Sequence, residues 1–281
     1  LQSVGRSIDE LVTTAMRPPD HLSTILKPLF DAAHEAEGMP LSLAAASSLQ
    51  DAVEEDDTVV IATGAGKGRV HLPNGETDGP LGAVGLARAL ALALGAKPVL
   101  VTEEHCVDPL VATVRAGGLN DVSYEELIQR SNAVSISSYP KEQAAGKRTA
   151  EEILEEYDPA AVIAVEKGGP NRAGVYHSAR GTDMTPGRAK VTPLFDRANK
   201  EGILTIGIGD NGNEIGFGKI EDAVRDIQPH GDSCQCPCEQ GNACRVATDH
   251  LIVANTSNWG AYGIQAMLAL CTKMPDAMHT P

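Results

Sequence analysis

Short runs of aliphatic, largely β-branched residues recur along this chain, each ending in a polar or glycine-rich loop that leads into a helical pattern. Thr58-Val59-Val60-Ile61-Ala62-Thr63 is the clearest. Pro98–Thr102, Ala133–Ser137, Ala161–Glu166, Ile203–Gly209 and His250–Ala254 repeat the theme. An unbroken apolar run suits a strand covered on both faces, which is the condition of parallel sheets. Helical patterns fall between the runs, over Pro80–Leu94, Pro109–Ala116, Glu125–Arg130, Ala150–Tyr157, Val191–Lys200, Ile220–Ile227 and Gly260–Leu270. This alternation implies right-handed crossovers and an α/β fold: a Rossmann-like, mostly parallel sheet with helices on both faces. Residues 1–50 read as a helical N-terminal segment. Leu22, Ile25, Leu26, Leu29 and Phe30 share a helical face, Pro18-Pro19-Asp20 breaks the pattern, and another helix is expected near Leu41–Leu49. With no internal repeat and no low-complexity linker, residues 1–281 read as a single α/β domain carrying a Cys-rich insertion at 230–246.

Composition narrows the partners. The formal net charge is -15, which disfavours nucleic acid and anionic membrane surfaces, because both need clustered Lys and Arg. Aromatic residues make up only 3%, so the core must be aliphatic. No apolar run is long enough to span a bilayer, and the N-terminus lacks the basic-then-apolar pattern of a signal peptide. A cytoplasmic location is expected. The acidity suits either a charged surface or a carboxylate site for a divalent metal. A homo-oligomer stays open.

Ligands of open α/β sheets bind outside the carboxyl ends of the strands, and the unusual residues gather there. Gly75-Glu76-Thr77-Asp78-Gly79-Pro80 precedes a helix. Thr77 and Asp78 read either as plain caps of that helix or as part of an anion-binding turn with Gly79. Glu166 leads a glycine-rich loop through Tyr176, His177 and Arg180. An acid at a buried strand end needs a partner, either a cation or an ion pair with Lys167 or Arg172. Gly207–Gly218 is the densest polar loop. Its Asp210, Asn211, Asn213 and Glu214 offer hard oxygen ligands, which suit Mg²⁺, Mn²⁺ or Ca²⁺. Ser257 and Asn258 stand before the last helix, placed to receive a carboxylate or simply to cap it.

Taken together, Glu76-Thr77-Asp78-Gly79-Pro80, Glu166 with its loop, Gly207–Gly218 and Ser257-Asn258-Trp259-Gly260 resemble the D-glutamate cyclase-like family, in the family's order, over roughly residues 20–270. The resemblance implies a Rossmann-like fold and cyclisation of D-glutamate to 5-oxo-D-proline with loss of water, assisted in some members by a divalent metal. Two features depart from the family pattern: Ala62-Thr63-Gly64-Ala65-Gly66 replaces a Thr-Gly-Phe-Pro loop, and a cysteine cluster is added. The substrate expected is a small carboxylate-bearing molecule. Alternatives are a non-catalytic sensor of a small anionic metabolite, or a hydrolase or racemase of a related amino acid or lactam.

On that basis Asp210 and Glu214 are assigned to the metal, with Glu166 as a third ligand or the base. Asp78 is expected to orient the amine and His177 to shuttle a proton. Arg180 or the Ser257-Asn258 helix start is expected to hold the α-carboxylate, with Thr77, Gly79, Asn211 and Asn213 lining the substrate.

The cysteines form the array Cys234-x-Cys236-x-Cys238-x5-Cys244. Four thiolates satisfy a structural zinc or an iron–sulfur cluster, although zinc pairs are usually spaced more widely. Free or disulfide-bonded thiols and a nucleophile are the other readings. His230 is near enough in sequence to replace one ligand.

Overall fold

The computed structural model describes residues 1–16, 21–64 and 74–278. The expected break at Pro18-Pro19-Asp20, the side chain of Leu22 and most of the Gly64–Gly68 loop lie outside these residues.

The aliphatic runs form the sheet. Its strands are β1 (Thr58–Thr63), β2 (Lys97–Thr102), β3 (Asn120–Asp121), β4 (Ala133–Ser138), β5 (Ala161–Val165), β6 (Leu204–Gly209) and β7 (His250–Val253). Among the described residues their order is β3-β4-β2-β1-β5-β6-β7. Every pairing is parallel, with Val60 opposite Val99 on one side and Val162 on the other. Each residue of β1, β2 and β5 is buried, as strands covered on both faces must be.

The helices are α1 (Gln2–Val12), α2 (His21–Glu37), α3 (Leu41–Ala52), α4 (Pro80–Ala93), α5 (Val107–Ala116), α6 (Tyr124–Leu127), α7 (Gln143–Tyr157), α8 (Thr192–Glu201), α9 (Glu221–Ile227) and α10 (Ser257–Cys271). α10 lies between α3 and α4, and α7 packs on α8. Leu29 of α2 and Leu41 and Leu49 of α3 join the same apolar cluster as the strands. Pro40, before α3, has no side chain to cap it. Asp9 of α1 does so instead, accepting from Leu41 N at 2.7 Å and Ser42 N at 3.1 Å. Those amides belong to the first turn of α3, which has no intrahelical partners of its own.

The order reverses at β1, whose neighbours β2 and β5 lie on opposite sides. Crossovers depart in opposite directions from such a point and leave a crevice above it. No helix among the described residues is long and apolar enough to cross a membrane.

Candidate active site

β5 ends at Val165, one residue earlier than its sequence pattern suggests. Glu166 turns into the left-handed region with φ 53°, a conformation that costs a non-glycine residue energy and clusters at functional sites. Its carboxylate meets two others. Oxygens of Asp78, before α4, Glu166, after β5, and Asp210, after β6, all lie within 4.8 Å of one another. Burial, and then the charges of Asp210, Glu214, Asp78 and Glu76, push the Glu166 carboxyl well above its ordinary value.

Two helices hold this arrangement by capping each other. Asp78 does not cap the helix that follows it, as its position suggests. Its oxygens accept from Asn258 N at 2.8 Å and Ser257 N at 3.2 Å, the first amides of α10. Asn258 Oδ1 in turn accepts from Gly79 N at 3.0 Å and Gly82 N at 2.7 Å, at the start of α4. Asn258 Nδ2 donates to Thr77 O at 3.0 Å, so both ends of this amide are engaged by the Thr77–Gly82 backbone. The N-cap of α10 is Thr256 rather than Ser257. The Ser257 hydroxyl instead donates to Glu166 Oε2. Gly79 is required here: its φ is 99°, and a Cβ would stand 2.8 Å from the Glu166 Cβ.

Glu214, expected beside Asp210, is not one of the three carboxylates that converge, whereas Asp78 is. Glu214 Oε2 accepts from Gly212 N at 2.9 Å and Asn211 N at 3.3 Å, because the tight loop after Asp210 aims its amides inward. Glu214 Oε1 is buried and without a partner. Burial lifts this carboxyl to about 7, against the pull of the loop amides and Arg188. Asn211 donates its side-chain amide to Asp210, and Asn213 donates to His177 O at 3.1 Å.

Behind the crevice, Lys167 and Glu103 form an ion pair at 2.6 Å, with side chains 1% and 0% exposed. This answers which partner Lys167 takes: it is Glu103, at the end of β2, and not Glu166. Lys167 Nζ also donates to Thr63 O and Gly64 O, tying the ends of β1, β2 and β5 together. Burial opposes ionisation of Glu103, but the Lys167 ammonium outweighs it and holds the carboxyl below its ordinary value.

Sequence reasoning missed Arg188. It is 7% exposed, yet its Nε and Nη1 find no partner. The guanidinium passes Gly168, where a Cβ would lie 3.6 Å from Nε, and its charge is felt at both Glu103 and Glu214. No motif marks it. Arg188 follows a short turn at Thr185–Gly187, and only the fold brings it inward. Arg180, expected to bind the carboxylate, is exposed at the tip of a turn. Thr77 is also exposed and contributes its carbonyl to Asn258.

Two further expectations are corrected. His177 does not face the carboxylates: its Nε2 lies 3.3 Å from Cys236 Sγ, which removes it as a shuttle there. Cys244 does not join the other three cysteines. It is fully buried, accepts from Val246 N at 3.3 Å, and burial pushes its thiol up to about 12. Cys244 sits under Gly169, where a Cβ would be 2.3 Å from its sulfur. Proximity in sequence was a poor guide, because the chain turns between Cys238 and Cys244. His230 is likewise absent from the cluster and packs against Gly181.

Residues 26–281 match the family profile described as D-glutamate cyclase-like, C-terminal. Human (Homo sapiens) mitochondrial D-glutamate cyclase is 31% identical over 221 residues, covering 75% of this chain and 32% of that protein. The chain therefore spans about a third of the length of that relative. Among solved structures, levodione reductase matches at 15% identity, covering 77% of this chain and 66% of its own, with a TM-score of 0.32. O-ureido-L-serine synthase matches at 14% identity, covering 89% and 74%, with a TM-score of 0.22. At such scores neither likeness bears on fold or function.

Proposed function

Because this chain belongs to the D-glutamate cyclase-like family, we propose that it cyclises D-glutamate to 5-oxo-D-proline with loss of water, assisted by a divalent cation. The observation that carries this reading is the convergence of Asp78, Glu166 and Asp210 at the carboxyl edge of the sheet, with a buried arginine, Arg188, whose charge reaches the neighbouring Glu214 and whose Nε and Nη1 have no partner. An amino acid that presents an ammonium and two carboxylates matches that combination of charges.

The donor chemistry fits a hard cation. Three carboxylates crowd one point, and the neighbours that raise Glu166 are themselves acids. Asp78 and Asp210 would hold Mg²⁺, Mn²⁺ or Ca²⁺ through oxygen, which leaves the Glu166 carboxyl to serve as the base. When bound, the ion polarises a carboxylate and offsets charge on the departing oxygen.

The chain's own groups account for the protons. The substrate nitrogen bonds to the distal carboxyl carbon, one carbon–oxygen bond breaks, and that oxygen leaves as water with two of the three ammonium protons. Glu166, whose proton affinity is raised, takes one proton from the ammonium. Glu214 retains a proton near neutrality and gives it to the leaving oxygen, the second ammonium proton completes the water, and the proton held by Glu166 passes back to Glu214 to reset the pair. The Arg188 Nε and Nη1 groups clasp the carboxylate that does not react.

The test is incubation of the purified chain with D-glutamate, L-glutamate or 5-oxoproline, with each divalent cation or a chelator, followed by chiral chromatography. Cation-dependent 5-oxo-D-proline supports the reading. Saturable binding with no product would replace it with a metabolite sensor. Turnover of 5-oxoproline or interconversion of enantiomers alone would replace it with a hydrolase or racemase.

A further inference from the structure

A second cluster of ligand-type side chains lies away from the carboxylates, where the proposed reaction has no use for it. Cys234, Cys236 and Cys238 face one another with sulfur separations of 3.5, 3.3 and 3.3 Å. His177 Nε2 approaches from another segment, 3.3 Å from Cys236 Sγ and 3.8 Å from Cys238 Sγ. All four ligand atoms lie within 4.8 Å of one another. A tetrahedral zinc with ordinary Zn–S and Zn–N bonds spaces its ligands by about 3.4–3.8 Å. The observed separations, 3.3–3.8 Å, lie at or just inside the edges of that tetrahedron, so a slight expansion of the cluster admits the ion.

Other readings of the cysteines fit less well. All the cysteines are free, and the three sulfurs are nearly equidistant, with no pair set apart from the third. An iron–sulfur cluster interposes several atoms between its thiolates, and this triangle leaves space for a single ion. The surroundings suit thiolates: Asn171 Nδ2 lies 3.4 Å from Cys238 Sγ and donates to Gly241 O at 2.7 Å. Polar groups of this kind orient first-shell ligands.

We propose that Cys234, Cys236, Cys238 and His177 bind one structural zinc ion, which fastens the loop after β5 to the segment after α9. The two segments are already laced together. Gln235 N donates to Gly181 O at 3.1 Å, and Asn242 Nδ2 donates to Ala179 O at 3.2 Å. The carbonyl of His177 receives Asn213 from the Asp210 loop, so the zinc braces that loop from behind. The ion has no part in the chemistry of the carboxylates, and the proposal stands or falls independently of the cyclase reading.

The test begins with metal analysis of the full chain as purified, followed by replacement of the ion with Co²⁺. One zinc per chain is expected. The cobalt form should show tetrahedral ligand-field bands and thiolate charge-transfer absorption. The double variant C236S/C238S should lose the stoichiometric metal, and H177A should shift the cobalt bands. C244A and H230A should keep both metal and spectrum. The proposal is overturned if the wild-type chain takes up neither zinc nor cobalt, if iron occupies the four ligands, or if C244A or H230A loses the ion. Should C236S/C238S not fold, the wild-type cobalt spectrum together with C244A still decides the ligand set.

Discussion

Arg188 and Lys167 are both buried cations, and the difference between them is instructive. Lys167 is satisfied three times over, by Glu103, Thr63 O and Gly64 O. Arg188 keeps two N–H groups open. An unpaired buried donor is costly, so a ligand carboxylate at Arg188 recovers what folding forgoes. R188M should lower kcat/KM for D-glutamate by roughly 100-fold, about 2.7 kcal/mol, chiefly through KM. R188K should not restore it, because an ammonium lacks the planar fork. Unchanged steady-state kinetics in R188M would remove Arg188 from substrate binding. For Lys167 the readout is stability. K167M leaves the buried Glu103 without its ion-pair partner, with only the Ala189 amide and the more distant Arg188 charge to support it, at a cost of about 3–5 kcal/mol near neutral pH. Glu103 has a depressed folded value, so its contribution is present above 4.5 and lost as pH falls through that folded value. The gap between wild type and K167M in urea denaturation should therefore narrow as the solution is acidified below 4.5. A gap independent of pH would show that the ion pair does not account for it. Neither role was legible in the sequence. Lys167 and Arg172 both follow Glu166 closely, and the chain pattern has no means of showing that Lys167 reaches back to β2.

At the scale of elements, α4 and α10 are joined by their first turns. Each supplies the acceptor that the other's free amides require, and Gly82 lets them approach, since a Cβ there would lie 2.7 Å from the Asn258 Cα. N258A removes the side-chain acceptor of Gly82 N and one of the two acceptors of Gly79 N, which keeps Asp78 Oδ1. A loss of about 1–2 kcal/mol is expected, with a larger loss of activity because the Thr77–Gly79 backbone that carries Asp78 loses its ties to the Asn258 side chain. Equal activity in wild type and N258A would show that the paired caps serve stability alone. The strands themselves were readable because strands buried on both faces have largely apolar interiors, as β1, β2, β5 and β6 do. β3 escaped notice, since Asn120 and Asp121 carry no apolar mark. The start of α7 at Gln143 also escaped: its polar first turns and Gly146 suggest a loop, yet Gly146 is where the helix meets the Lys190 backbone. Asp78 and Asn258 stood out in sequence as strand-end residues. Their exchange of caps did not, because local position points each to its own helix.

For the molecule as a whole, the charge of -15 and the carboxylate trio should respond differently to salt. Sodium chloride screens general repulsion and should raise Tm modestly. Magnesium or manganese at equal ionic strength should raise it further, by occupying a site present only in the folded chain. D210N should abolish that excess and keep the sodium effect. Identical responses to the two salts would mean that no divalent cation is held. The paired caps also bear on the order in which the molecule is completed. Asp78 and its α10 partners are separated by 179 and 180 residues. During synthesis Asp78 leaves the ribosome long before Ser257 and Asn258 exist, so the first turn of α4 waits uncapped while most of the sheet is made. Nascent chains and fragments that stop short of α10 lack the second half of the clasp. The chain thus carries its own interlock, in which the acidic pocket closes only when the last helix arrives.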